Sequence, residues 1–492
     1  MNGEARDGRG WLDGDGRLHV VGIGGAGMSG IAELLRGLGR EVSGTDRSDS
    51  ATLERLRALG VDARAPHDPA AVDGAVLVIR SSAIPLDNPE LVRARKLGIP
   101  VIHRSEALAR IAAREVVVAV AGSHGKTTTS AMVASALDGG GWDPSFAIGA
   151  VVTAVGCGAR IGRGGVMVLE ADESDGSFLA YGPDVGVVTN VEPDHLDHYG
   201  DAEAVEAAFV DFAATLRPGG VLVVCADDPG AARVGRQARR GGTDVITYGF
   251  NPEADERITV VESEPPDDHA GARRIRVRGE DTGSQVITVP MAGRHVALNA
   301  TAAFLAALQA IRRIERRRGH EGLLPGSEDV SAVIRGLESY AGTARRFETR
   351  GTVRSVRVID DYAHHPTEIE ATVAAARTVA GGGRVVVVFQ PHLYSRTAAF
   401  ASQFAAALSE ADRVAVMDVY AARERPVPGV DGSLIASRVP GAVYVPDRDD
   451  VPDLLAGWAE AGDIILTLGA GDVTDLVPDI LDRLAGDRGL VS

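Results

Sequence analysis

Val116–Ser130 reads VVVAVAGSHGKTTTS, and this stretch decides the fold. An apolar, largely β-branched run ends at Gly122, and a short turn leads through Gly125, Lys126 and Thr127 into residues that can start a helix. The pattern predicts a strand, a phosphate-cradling loop and a helix N-terminus. Glycines let backbone N–H groups approach the phosphates, a lysine supplies a point charge, and a threonine hydroxyl can hold Mg²⁺. Two residues separate the glycines where the standard loop has four, so the stretch is a variant. The alternative is a glycine-containing strand-to-helix turn that binds nothing. Lysine occurs only at Lys96 and Lys126, and arginine is used everywhere else. A compact ammonium suits a phosphate tail where a planar guanidinium does not.

Downstream, two further strand patterns end in acids. Val166–Glu170 runs into Asp172, Glu173 and Asp175, and 185–191 runs into Glu192, Asp194, His195 and Asp197. Ligands of α/β proteins sit beyond the carboxyl ends of the strands. Oxygen-rich ligation there favours Mg²⁺ or Mn²⁺ and tolerates one histidine, which singles out Glu170 and His195; solvated acidic turns are the alternative. Residues 221–290 alternate strand-like runs with Pro, Gly and Asp breaks. Then 291–310 reads as a loop entering a long apolar helix, with His295 and Asn299 four residues apart at its start. Such a pair either meets a base from one helix face or only caps and packs.

Upstream, 17–30 reads RLHVVGIGGAGMSG, a short strand followed by Gly22-x-Gly24-x-x-Gly27 and a helix, and Asp46 closes a second strand. This is the dinucleotide fingerprint, with an acid placed for a ribose hydroxyl; a UDP-sugar and NAD satisfy it equally. Beyond 341 the strand pattern 353–359 ends in Asp360-Asp361-Tyr362-Ala363-His364-His365, and 384–389 ends in Gln390-Pro391-His392-Leu393-Tyr394-Ser395-Arg396. A last strand, 463–468, ends in Gly469-Ala470-Gly471-Asp472.

At 492 residues the chain has length for about three domains. A composition 45% hydrophobic and 24% charged is that of an α/β protein. The net charge of −17 argues against a nucleic-acid partner, and the one dense basic run, Arg312 to Arg318, reads as a solvated helix end. Cys157 and Cys225 are too few and too far apart in sequence for a disulfide framework or a zinc site, so a cytoplasmic location is the expectation. About the first ten residues read as disordered. No signal sequence or membrane insertion is expected. Oligomeric state is left open.

The motifs GIGGAGMSG, AGSHGKTTT, LEADESD, TNVEPDHLD, RRFE, DDYAHHPTE and FQPHLYSRT, in this order, make the sequence resemble the Mur ligases of peptidoglycan synthesis. The resemblance is strongest to the branch that attaches L-alanine to UDP-N-acetylmuramate. It implies an α/β fold of three domains: a Rossmann-like UDP-sugar-binding domain at 1–114, a central P-loop-type ATPase domain with a mostly parallel sheet at 115–341, and a Rossmann-like amino-acid-binding domain at 342–492. It places the uridine nucleotide on Gly24, Gly25, Ala26, Gly27, Met28 and Ser29, with Asp46 and Ser81 nearby. ATP falls on Gly122, Ser123, His124, Gly125, Lys126, Thr127 and Thr128, with His295 and Asn299 at the adenine and Arg346 and Asp361 reaching ATP from the third domain. Two Mg²⁺ are shared among Thr127, Glu170 and His195. Tyr362, His364 and Arg396 match the neighbourhood of L-alanine, with Lys126, Glu170, His195, His364 and Arg396 as the catalytic set.

There are departures from the family pattern. Val296 stands where an asparagine is common, and Leu393 replaces a frequent arginine. Sister ligases that bridge metals with a carbamylated lysine are disfavoured, because no lysine follows Lys126.

The implied chemistry is ATP-driven phosphorylation of the lactyl carboxylate, attack by the amine of L-alanine on the acyl phosphate, and loss of phosphate. The rivals are a ligase recycling a murein tripeptide onto the same UDP-sugar, a folylpolyglutamate-type ligase, an NAD-binding oxidoreductase, and a nucleotide-gated binding protein without ligase chemistry.

Overall fold

A computed structural model describes residues 10–260, 272–280, 282–320, 325–422 and 424–486. The expectation of disorder at the N-terminus falls mainly on residues 1–9, outside the described residues. The described residues build three sheets, of five, ten and six strands. One compact unit holds the first two sheets, and a second holds the third.

The five-stranded sheet runs Asp62–Arg64, Val42–Thr45, Arg17–Val21, Ala75–Arg80, Val101–His103, parallel throughout. Its helices start and stop on local signals. Asn88 accepts the Glu90 N–H at 2.9 Å with Pro89 in the first turn, and Gly98 ends that helix at φ +69°.

The ten-stranded sheet has Val116–Ala121 near its middle, flanked by Val185–Val188 and Val166–Glu170 in parallel. Every residue of Val116–Ala121 is buried, as a strand covered on both faces must be. Outward on one side lie Val221–Cys225, Asp244–Gly249, Glu256–Val260, Arg273–Gly279 and Gly283–Val289; on the other lie Ser145–Val152 and Cys157–Arg160. The two pairings Glu256–Val260 with Arg273–Gly279 and Ser145–Val152 with Cys157–Arg160 are antiparallel.

The six-stranded sheet runs Glu348–Val353, Val356–Asp361, Ile464–Leu468, Val385–Phe389, Arg413–Met417, Val443–Val445. Only its first pair is antiparallel. Separate apolar clusters cover its two faces, one around Phe389 and Phe404, the other around Val388 and Ile480.

The basic run is a solvated helix end only in part: Arg316, Arg317 and Arg318 are exposed at the end of the helix, but two of its arginines also pair inward. Arg313 and Arg317, in the helix Arg294–Arg317, each reach Asp184 at 3.0 Å, and Arg217 reaches it at 2.8 Å. Asp184 is 0% exposed and also accepts the Val117 N–H at 3.0 Å. A buried carboxylate demands such partners, and the arginines supply them from two directions. The cluster ties the long helix to the base of the strand that precedes the phosphate loop. Among the described residues no helix is long and apolar enough to cross a membrane.

Candidate active site

The phosphate-loop candidate grows from the carboxyl end of Val116–Ala121. Gly125 is left-handed at φ +80° and forms the N-cap of helix Lys126–Gly139, with no side-chain cap. A helix start of this kind suits an anion. A Cβ on Gly125 would also stand 2.8 Å from Asn299 Oδ1, so the position is reserved for glycine twice over. Asn299 therefore lies against the phosphate loop itself.

The loop is fixed from behind. Ser123 N–H donates to Asn190 O at 3.1 Å, His124 N–H donates to Asn190 Oδ1 at 2.7 Å, and Thr189 Oγ1 donates to His124 O at 2.7 Å. The side chains of Ser123 and His124 both turn to Glu192: Ser123 Oγ accepts the Glu192 N–H at 2.9 Å, and His124 Nε2 lies 3.3 Å from a Glu192 carboxylate oxygen.

Lys126 Nζ donates to Gly122 O at 2.6 Å and to Ser123 O at 3.2 Å, and pairs with Glu173 at 2.9 Å. Thr127 Oγ1 donates to Glu170 Oε1 at 2.9 Å, and Glu170 Oε2 accepts the Gly149 N–H at 2.7 Å. His195 Nε2 lies 3.8 Å from Glu173, with His195 left-handed at φ +54°. The structure thus joins Thr127 to Glu170, and His195 to Lys126 through Glu173.

Burial pushes the Glu173 carboxyl up to about 7, against the pull of Lys126, and one of its oxygens is buried with no hydrogen-bond partner. Burial also works against Asp172, but Lys126 and Arg104 outweigh it and hold that carboxyl down at about 2. Burial is outweighed at Lys126 as well, whose ammonium is held charged by Glu173 and Asp172. Glu170, the Thr127 hydroxyl and the His195 imidazole offer the donor types that a hard divalent cation beside a polyphosphate takes, but among the described residues Glu170, Glu173 and His195 do not bring three ligand atoms to one point.

At the first sheet, Asp46 accepts the Gly24 N–H at 2.8 Å and the Arg47 N–H at 2.7 Å, closing the glycine turn. Gly25 and Gly27 are exposed at that turn, whereas Met28 and Ser29 are buried. Ser81 is partly buried, and its exposed neighbour Ser82 hydrogen-bonds Asp175. Arg104 was not legible as a site residue in the sequence. Its guanidinium pairs with Asp172 at 2.9 Å and would stand 2.8 Å from a Cβ on Gly27. It therefore links the glycine turn to the acidic loop after Glu170, and only that tertiary placement reveals it.

In the second compact unit, Tyr362 lies under Arg345 and Arg346, 5.0 and 5.1 Å from its ring centroid. Asp361 accepts the Phe347 N–H at 2.7 Å and the Ala363 N–H at 2.8 Å, and burial lifts its carboxyl to about 6. His364 Nδ1 lies 3.0 Å from Tyr362 O, so Nδ1 carries the proton and Nε2 keeps its lone pair. Burial drops its pKa to about 3. His392 meets the His364 ring edge-on at 6.1 Å. Arg396 follows in the first turn of helix Tyr394–Leu408. His295 is held neutral by burial, its pKa lowered to about 4, and the adjacent Val296 is buried.

Comparisons with known proteins match three stretches of the chain to one family. Residues 17–116 match the Mur ligase family catalytic domain, 120–307 the Mur ligase middle domain, and 345–471 the Mur ligase glutamate ligase domain. A UDP-N-acetylmuramate–L-alanine ligase of Kineococcus radiotolerans is 52% identical over 96% of both chains. Its namesake in Mycolicibacterium smegmatis is 47% identical over 96% of both. The crystal structure of the UDP-N-acetylmuramate–alanine ligase from Thermotoga maritima superposes with a TM-score of 0.75 at 26% identity, covering 95% of this chain and 99% of that one. A murein peptide ligase from Psychrobacter arcticus shares the fold, with a TM-score of 0.67 at 22% identity over 96% of this chain and 100% of that one.

Proposed function

Because the chain belongs to the Mur ligase family, we propose that it is the ATP-dependent ligase that joins the lactyl carboxylate of UDP-N-acetylmuramate to L-alanine in peptidoglycan precursor synthesis. The observation that carries the reading is Lys126 on the loop, flanked by Glu173 and by the Thr127–Glu170 pair. A carboxylate is a poor acyl donor. Transfer of the ATP γ-phosphoryl group makes it an acyl phosphate, and attack by the neutral amine then expels phosphate through a tetrahedral intermediate.

Each residue has a task in this scheme. Lys126 exchanges Glu173 for the γ-phosphate and offsets charge as the two anions approach. Thr127, Glu170 and His195 would hold Mg²⁺, two ions in all, which would supply positive charge against the phosphates. Gly122, Gly125 and Thr128 present backbone groups to the phosphates. Ser123 and His124 act as scaffold through Glu192 and Asn190. Gly24, Gly25, Ala26 and Gly27 cradle the UDP diphosphate, and Arg104 adds a cation there. Met28, Ser29 and Asp46 support the turn from inside, with Ser81 at its side.

Asn299 braces the phosphate loop, and neutral His295 meets the adenine. Arg346 reaches ATP, and Asp361 shapes the turn that carries that arginine. Tyr362, His364 and Arg396 receive L-alanine. With its low pKa, His364 orients the amine by accepting an N–H at Nε2 and does not store the proton. Holding reactants in near-attack geometry is worth up to about 7–11 kcal/mol. The domains divide at 114/115 and 341/342, and the enzyme works in the cytoplasm, where its nucleotide substrates are made and its two free thiols persist.

The test is phosphate release from ATP with UDP-N-acetylmuramate and Mg²⁺ against L-alanine, glycine, L-serine and the murein tripeptide. Release with L-alanine is expected. Release with the tripeptide alone would move the assignment to the recycling ligase, and no phosphate release with any of the four amines would leave only a nucleotide-binding protein.

A further inference from the structure

The ring of Tyr420 belongs to two places at once. It stacks on His392, with centroids 5.9 Å apart and planes at 14°. It also lines a cavity of about 560 Å³ together with Gln390, Asp418, Arg448 and Asp472. Although Tyr420 is 38% exposed, its backbone is not free. Tyr420 N–H donates to Pro391 O at 2.8 Å, and Leu393 N–H donates to Tyr420 O at 3.0 Å.

These bonds hold a strained position. Leu393 adopts φ +71°, a region that a branched side chain enters only where its surroundings impose it. Leu393 is also the N-cap of helix Tyr394–Leu408 and offers no side-chain cap. Glu424, four residues after Tyr420, takes over that task. Its carboxylate accepts the Ser395 N–H at 3.0 Å and the Ser395 hydroxyl. One loop, leaving the strand Arg413–Met417, thus fixes both His392 and the helix turn that carries Arg396.

We propose that Tyr420 is a positioning and specificity-determining residue for the incoming amino acid, with its ring orienting His392 and walling the amine site off from the 560 Å³ cavity. Glu424 holds the turn of Arg396 in the same cause. With the Tyr420 ring in place the amine site is expected to admit a methyl side chain and to reject larger ones. This inference rests on the ligase reading of the same site.

Steady-state kinetics of the full-length enzyme test it, with L-alanine, L-serine, L-valine and L-leucine offered to wild type, Tyr420→Phe, Tyr420→Ala and Glu424→Ala. Tyr420→Phe keeps the stacking ring and is expected to stay within about threefold of wild type in every constant. Tyr420→Ala is expected to raise KM for L-alanine about tenfold, leave KM for ATP and the UDP-sugar within about twofold, and turn over L-valine or L-leucine. Glu424→Ala is expected to raise KM for L-alanine without widening selectivity. Unchanged selectivity in Tyr420→Ala, or KM values for all three substrates rising together, would overturn the inference and leave the ligase reading intact. Wild type inert toward every amino acid would overturn both.

Discussion

Lys126 meets Glu173 before it meets a nucleotide, and that exchange sets what single substitutions should do. The ammonium already has a carboxylate and two carbonyls around it, so its geometry does not depend on ATP. Lys126→Ala is expected to lower kcat by about 10²–10³ or more. Lys126→Arg should not restore it, because a planar fork does not fit the space of a point charge. Phosphate-release kinetics check both, and activity within a few-fold of wild type would remove the loop from the mechanism.

Glu170 and Glu173 should separate in a Mg²⁺ titration. Glu170→Gln is expected to raise the Mg²⁺ concentration needed for half-maximal rate, since Glu170 sits on the Thr127 hydroxyl. Glu173→Gln is expected to act mainly on KM for ATP through Lys126. Glu170 was legible in the sequence because it closes a strand pattern. Nothing in the run Asp172-Glu173-Ser174-Asp175 marked Glu173, since burial and a lysine 47 residues earlier distinguish it. Arg104 was illegible for the same reason.

At the scale of elements, the strand Val116–Ala121 begins on a carboxyl that is poorly placed for charge. Burial lifts Glu115 from 4.5 to about 7; Ser145 donates to one of its oxygens at 3.2 Å, and the other is buried without a partner. Below pH 4.5 the group is protonated in folded and unfolded chains alike, so it contributes nothing to pH dependence. As pH rises toward 7 the unfolded chain releases the proton first, so stability falls, and above about 7 the loss is constant at about 3 kcal/mol. Glu115→Gln should therefore raise the urea midpoint at pH 8 and remove most of that slope; an unchanged midpoint at pH 8 would contradict the burial argument.

Asp184 is the opposite case. Removing it leaves three arginines without their shared partner, and Asp184→Ala is expected to cost about 3–5 kcal/mol in the same denaturation experiment. A loss under 1 kcal/mol would show the cluster to be weakly coupled to folding. The sequence showed the basic run but not its role, because its partner lies more than a hundred residues away. The strands that end in the site residues were legible from β-branched runs, as Val116–Ala121, Val166–Glu170 and Val385–Phe389 show. The insertion of Ile464–Leu468 between Val356–Asp361 and Val385–Phe389 was not, since order within a sheet is decided by crossover packing and leaves no local pattern.

Over the whole molecule, three sheets carry three sets of polar groups at their strand ends, and the reaction needs three reactants. The NAD-oxidoreductase reading accounts for one sheet and leaves the phosphate loop and the third sheet without a task. The arginine-rich, net-acidic composition is explained in part from inside, because Arg313 and Arg317 serve a buried carboxylate and not an anionic partner. The account stands on activation of an acid by phosphoryl transfer before the amine attacks. The most direct measurement uses UDP-N-acetylmuramate labelled with ¹⁸O in the lactyl carboxylate, with ATP, Mg²⁺ and L-alanine, and reads the released phosphate by mass spectrometry. One ¹⁸O atom per phosphate is the result predicted; amide product formed with unlabelled phosphate would contradict it.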